Sequence, residues 1–123
     1  MGAVRRFSRA EEIHSLVGYW EIYEMELWDE DYFNMETQAY IEIKSDRQGL
    51  FQFGLVTGFL DGYLEQIGDI ERFSFTWEGT DEVDEASGSG WLKLIDDNDA
   101  NEAEGCIDMH QGDRSGFKVI RAV

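Results

Sequence analysis

Apolar and polar positions alternate along much of this chain with a period of two. The clearest run is 72–78, where Phe73, Phe75 and Trp77 share one face and Arg72, Ser74, Thr76 and Glu78 the other. A half-buried strand produces this pattern. Residues 38–44 repeat it, with Ala39, Ile41 and Ile43 opposing Tyr40, Glu42 and Lys44. Residues 50–57 repeat it again, with Phe51, Phe53 and Leu55 opposing Gln52 and Gly54. Further strands are predicted over 59–66, 90–95, 105–110 and 116–122. The densest stretch is the first, Gly18 to Trp28, rich in aromatic and branched residues and unbroken after Gly18. Strict alternation there places Trp20, Ile22, Glu24, Glu26 and Trp28 on one face and Tyr19, Glu21, Tyr23, Met25 and Leu27 on the other. With both faces mostly apolar, the strand is expected to be covered on both sides or to line a cavity.

Polar segments punctuate these runs. Asp29 to Thr37 reads as a lid or a packed loop holding Tyr32, Phe33 and Met35. Thr80 to Ser89 and Asp96 to Glu104 read as acidic loops, and Gln111 to Ser115 as a turn. Ser8 with Glu11 forms a capping-box pattern, which predicts a short helix over 9–16 ended by Gly18; residues 1–7 read as a loose basic arm. About eight short strands, one helix and no proline predict an all-β fold. The expected architecture is an antiparallel up-and-down meander closing into an eight-stranded barrel, which removes exposed strand edges. Residues 8–123 would form one domain. Glycine recurs before aromatic or apolar pairs, as in Gly58-Phe59-Leu60, Gly62-Tyr63-Leu64 and Gly90-Trp91-Leu92. These glycines serve either to bend the sheet or simply to flank turns.

Composition narrows the partners. Ten Lys and Arg against 27 Asp and Glu give a formal charge of -17. Phosphate backbones and anionic membranes call for basic patches, so neither nucleic acid nor membrane is an expected partner. A cationic ligand or a basic protein is favoured, unless the acids serve only to keep an aromatic-rich protein in solution. The single cysteine, Cys106, permits no internal disulfide and fits a reducing compartment. Met1 to Ala10 carries Arg5, Arg6 and Arg9 without an apolar run, unlike a signal peptide. A cytoplasmic location is therefore expected.

The histidines are His14 and His110. His110 stands beside Asp108 and Asp113, but a solvated turn accounts for this trio better than a metal site. Asp97, Asp99 and Asn101 alternate as in a calcium loop, yet Glu102 occupies the position that needs glycine and no helices flank the run. No metal or cofactor is expected. No nucleophile elbow, phosphate loop or dinucleotide fingerprint is present. Glu24 and Glu26 stand out because alternation groups them with Trp20 and Trp28. On an interior face they would form a cation-binding or general-acid environment with aromatic walls. On a wet face they would instead pair with Arg72, Lys93 or Arg121.

The short helix followed by Gly18-Tyr19-Trp20, opening the first strand of a meander, resembles the lipocalin, fatty-acid-binding and streptavidin group of barrels. The resemblance implies that Trp20 closes one barrel end, with Arg121 from the last strand packed near it, and that the barrel holds a pocket. It implies no particular ligand. Trp20, Glu24, Glu26, Trp28, Trp77 and Arg121 are then the candidate binding residues.

Three functions compete. The first is a barrel whose cavity takes a small, partly apolar ligand, cationic or polyol. The second is an acidic interaction domain with a filled core, engaging a basic protein through loops 29–37, 80–89 and 96–104. The third is a small enzyme using Glu24 or Glu26 as acid or base. Oligomeric state leaves no mark in the sequence.

Overall fold

The structure, a computed structural model, describes residues 16–122. The expected basic arm and all but the last residue of the expected helix lie outside the described residues. Eight strands follow in order: β1 (Gly18–Met25), β2 (Tyr40–Ile43), β3 (Gln48–Phe53), β4 (Val56–Ile67), β5 (Ile70–Asp81), β6 (Asp84–Asp96), β7 (Asp99–Met109) and β8 (Arg114–Arg121). Each pairs antiparallel with its neighbours, and β8 returns to β1, so the meander closes into a barrel. A single turn of helix, α1 (Glu30–Phe33), sits between β1 and β2. Asp29 caps it by accepting the Tyr32 backbone N–H at 3.1 Å.

The regions expected as loops at 80–89 and 96–104 are mostly strand. Only Glu82-Val83 and Asp97-Asn98 turn, and the flanking residues pair Thr80 with Glu85, Gly79 with Ala86 and Lys93 with Glu104. Acidic, Gly- and Ser-rich composition imitates a loop. Here it serves a bent sheet whose inner face has no room for side chains at several positions.

That inner face is built by setting aromatic rings against glycines on the adjacent strand. Phe51 pairs with Gly58, Phe75 with Gly90, Trp77 with Gly88 and Phe117 with Gly105. A methyl group added at Gly58 would lie 2.6 Å from the Phe51 ring and 2.9 Å from the Trp77 ring; at Gly90 it would lie 2.6 Å from Phe75. The rings thus occupy the volume that ordinary side chains would fill. Trp20, Phe53, Phe73 and Phe75 are buried, with Ile41, Ile43, Leu92 and Val119 between them. The gap left among Ile22, Met25, Phe51, Phe53 and Phe117 measures about 10 Å³, no more than one water molecule requires. The barrel is filled.

One end is sealed by the Trp20–Arg121 contact. The two residues are register partners across the β1–β8 seam, and the guanidinium lies 4.1 Å over the indole ring. Arg121 also donates to Val17 O at 2.8 Å and Ala100 O at 3.0 Å. The indole N–H of Trp20 donates to Leu16 O at 3.0 Å. Burial pushes the Arg121 pKa below its usual value, but an Arg stays charged at any working pH.

Two stability outcomes test this core. Gly58→Ala should destabilise by about 1–3 kcal/mol, as overpacking does. Phe51→Leu should relieve part of that cost, so chemical denaturation of the two single variants and the double variant should be non-additive in the compensating direction. Arg121→Ala should lower stability by about 1–3 kcal/mol through the lost cation–π contact and unpaired carbonyls. Arg121→Lys should recover only part, because the planar fork serves two carbonyls and a ring at once.

Candidate functional site

The residues singled out in the sequence do not converge. β1 carries a bulge against β8: Ile22 pairs with Val119 and Glu24 with Lys118, leaving Tyr23 as the extra residue. The bulge breaks the alternation. Trp20 and Ile22 point inward, Tyr23 and Glu24 both outward, and Met25 takes the next inward place. Glu24 and Glu26 therefore do not share an interior face with Trp20, correcting the strict-alternation expectation. Glu24 lies 3.8 Å from the exposed ammonium of Lys118. Glu26 is past the end of the strand, and its carboxylate accepts the Gly116 N–H at 3.2 Å.

Trp28 sits beyond β1 at the opposite end from Arg121. It packs on Tyr32 and Phe53, with ring centroids at 5.9 and 5.1 Å. Together with Leu27, Val56 and Met109 it lines a recess of about 450 Å³ bordered by Asp29, Asp81 and Asp113. Trp77 is a core residue whose indole N–H donates to Asp108 O at 3.3 Å. Trp20 and Arg121 belong to the seal already described.

A large concavity lies on the outside of the barrel. A trough of about 1130 Å³ crosses β3 to β7, from the β2–β3 turn to His110 and Gln111. Its shape follows from side-chain size. The central strands present Thr76, Ser87 and Ser89 outward, while the flanks carry Gln48, Leu50 and Phe59 on one side and Asp108 and His110 on the other. Phe59 is 68% exposed, unusual for a phenylalanine. Four acids line the trough, Asp46, Asp61, Glu78 and Asp108, against one lysine, Lys44. Asp46 accepts the Gln48 N–H at 3.1 Å, and Asp108 faces Arg114 at 3.9 Å. Among the described residues, Asp61 and Glu78 have no ion-pair partner. Register puts them on adjacent strands around Phe59 and Thr76, since Phe59 pairs with Glu78 and Asp61 with Thr76.

A smaller cleft of about 300 Å³ adjoins the trough and shares Thr76, Ser89 and Asp108 with it. Arg114 donates there from Nε to the Cys106 sulfur at 3.4 Å. That contact, followed by the nearby Asp108, raises the Arg114 pKa. Among the described residues, no three His, Cys, Asp or Glu side chains are gathered so as to hold a metal ion. The hairpin acids serve the backbone instead: Asp96 accepts the Asn98 N–H at 3.0 Å and Asp99 the Asn101 N–H at 2.9 Å.

Sequence reading missed the trough because its residues are spread over five strands, each with an ordinary polar outer face. The available signal was the exposed Phe59 beside small outward residues, and it needs the strand order to be seen. Compared with known proteins, the chain matches no family model, and no curated protein or solved structure is significantly similar to it.

Proposed function

We propose that this protein is a binding domain that holds an extended, basic polypeptide segment in the outer trough. The observation carrying this reading is the pairing of a filled barrel with a large external concavity in which Asp61 and Glu78 have no cationic partner among the described residues. Five strands span four inter-strand gaps, roughly 19 Å, the reach of about six residues of extended chain. The polar floor and large volume suit a peptide better than a compact metabolite, whose pockets are mostly apolar and enclosed. The net charge of -17 would speed the encounter with a basic partner.

A second reading is favoured by the recess at Trp28. Its apolar floor and bordering carboxylates, Asp29, Asp81 and Asp113, suit a small organic cation with an apolar body.

Fluorescence anisotropy with a labelled hexalysine peptide tests the first reading. Binding should weaken with added salt, and the double variant Asp61→Asn/Glu78→Gln should weaken it at least fivefold. The double variant Asp31→Asn/Glu36→Gln changes the net charge equally but outside the trough, and should leave binding nearly unaltered. Equal loss in both double variants would reduce the effect to overall charge and overturn the trough reading. A thermal shift produced by small alkylamines and abolished by Asp81→Asn/Asp113→Asn would instead favour the recess.

A further inference from the structure

The 300 Å³ cleft beside the trough differs from it in chemistry. Its charged side chains are internally matched: Arg72 lies 3.4 Å from Glu65, and Arg114 lies 3.9 Å from Asp108. Its walls are aromatic. Tyr63 is 52% exposed and Trp91 is half-buried. Both register with Ser74, which lies between them on β5. Two strand spacings separate the aromatic positions, about 10 Å, and the Ser74 between them is buried. The cleft they border, about 300 Å³, has the volume for one large side chain.

The Trp91 wall is also held in place. The Arg72 guanidinium lies 5.0 Å over the Trp91 ring while its Nε reaches Glu65. The Ser74 hydroxyl donates to the same Glu65 oxygen at 2.6 Å. A fixed wall loses little side-chain freedom when a partner arrives. Tyr, Trp and Arg are also the residue types that dominate binding hot spots. In a chain with 10 Lys and Arg in total, two of the arginines border this one cleft together with an exposed tyrosine and a tryptophan.

We propose that this cleft anchors one large apolar or aromatic side chain of the polypeptide whose basic residues lie in the trough. The proposal rests on the trough reading and adds a specificity element to it. Spacing follows from β4, where Asp61 lies in the trough and Tyr63 in the cleft, two residues and about 7 Å apart. A partner that crosses the strands in the trough and turns along β4 at Asp61 spans that distance with two extended residues, which places its anchor two residues from a basic one. The partner is a basic segment with an apolar residue at that offset, rather than a uniformly charged tail.

The test uses the full chain and two synthetic peptides. One has four lysines, a glycine and a phenylalanine; the other ends in alanine instead. The phenylalanine peptide should bind at least tenfold tighter. Trp91→Ala and Tyr63→Ala should each erase most of that advantage while leaving the affinity for the alanine peptide within about twofold. Tyr63 is exposed, so Tyr63→Ala remains informative if Trp91→Ala fails to fold. Equal affinity for the two peptides, or an advantage untouched by Tyr63→Ala, would overturn the anchor and leave the trough standing. If neither peptide binds, the trough reading falls and takes the anchor with it.

Discussion

The fold depends on rings seated against glycines. Closing eight strands around an interior leaves space for few large side chains, and this chain fills it with phenylalanine and tryptophan on some strands and bare backbone on their neighbours. Neither half works alone. A side chain at Gly58 would collide with Phe51 and Trp77, while a smaller residue at Phe75 would leave a cavity where Gly90 supplies nothing to fill it. The same fit leaves a gap of only about 10 Å³ among Ile22, Met25, Phe51, Phe53 and Phe117. With rings taking up the interior, the larger concavities lie on the outer surface and at a barrel end.

The outer surface follows from the same economy of side-chain size. Where β5 and β6 turn small residues outward, the sheet is hollowed; where β4 and β6 turn Phe59 and Trp91 outward, and where His110 follows β7, it is walled. The barrel is closed, so every strand has a paired neighbour on each side, but β4 runs past β3 and from Tyr63 to Ile67 pairs with β5 alone. Strand addition needs a free edge, and across the waist of the barrel none is open. There the surface differs from place to place only in its side chains.

How much of this the sequence discloses varies with the range of the interactions involved. The barrel was legible because alternation is local: Phe73, Phe75 and Trp77 announce their shared face without reference to any other strand, and all three are buried. The extent of β5 and β6 was not, because glycine and serine read as loop until the rings opposite them are known, and the start of β7 was hidden by its run of acids and asparagines. Glu24 and Glu26 were misplaced for a related reason. The bulge at Tyr23 is a property of the β1–β8 pairing, and one extra residue exchanges the two faces. Trp20 and Arg121 do lie together, at the place the Gly-x-Trp resemblance indicated. The trough needed strand order and register at once, so no single stretch could reveal it.

The seam between the first and last strands has a consequence for biosynthesis. Residues 20 and 121 are partners, so the circuit cannot close until nearly the whole described chain has left the ribosome. Until then β1 carries Trp20 and Ile22 with one hydrogen-bonding edge unmet, a state open to mispairing with other chains. Local hairpins such as β4–β5 and β5–β6 can assemble early, since their turns are two residues long, but the final step joins the most distant parts of the sequence and is expected to be slow. The heavy negative charge on the nascent chain then gains a second use. It holds neighbouring copies apart during the interval in which the barrel is still open.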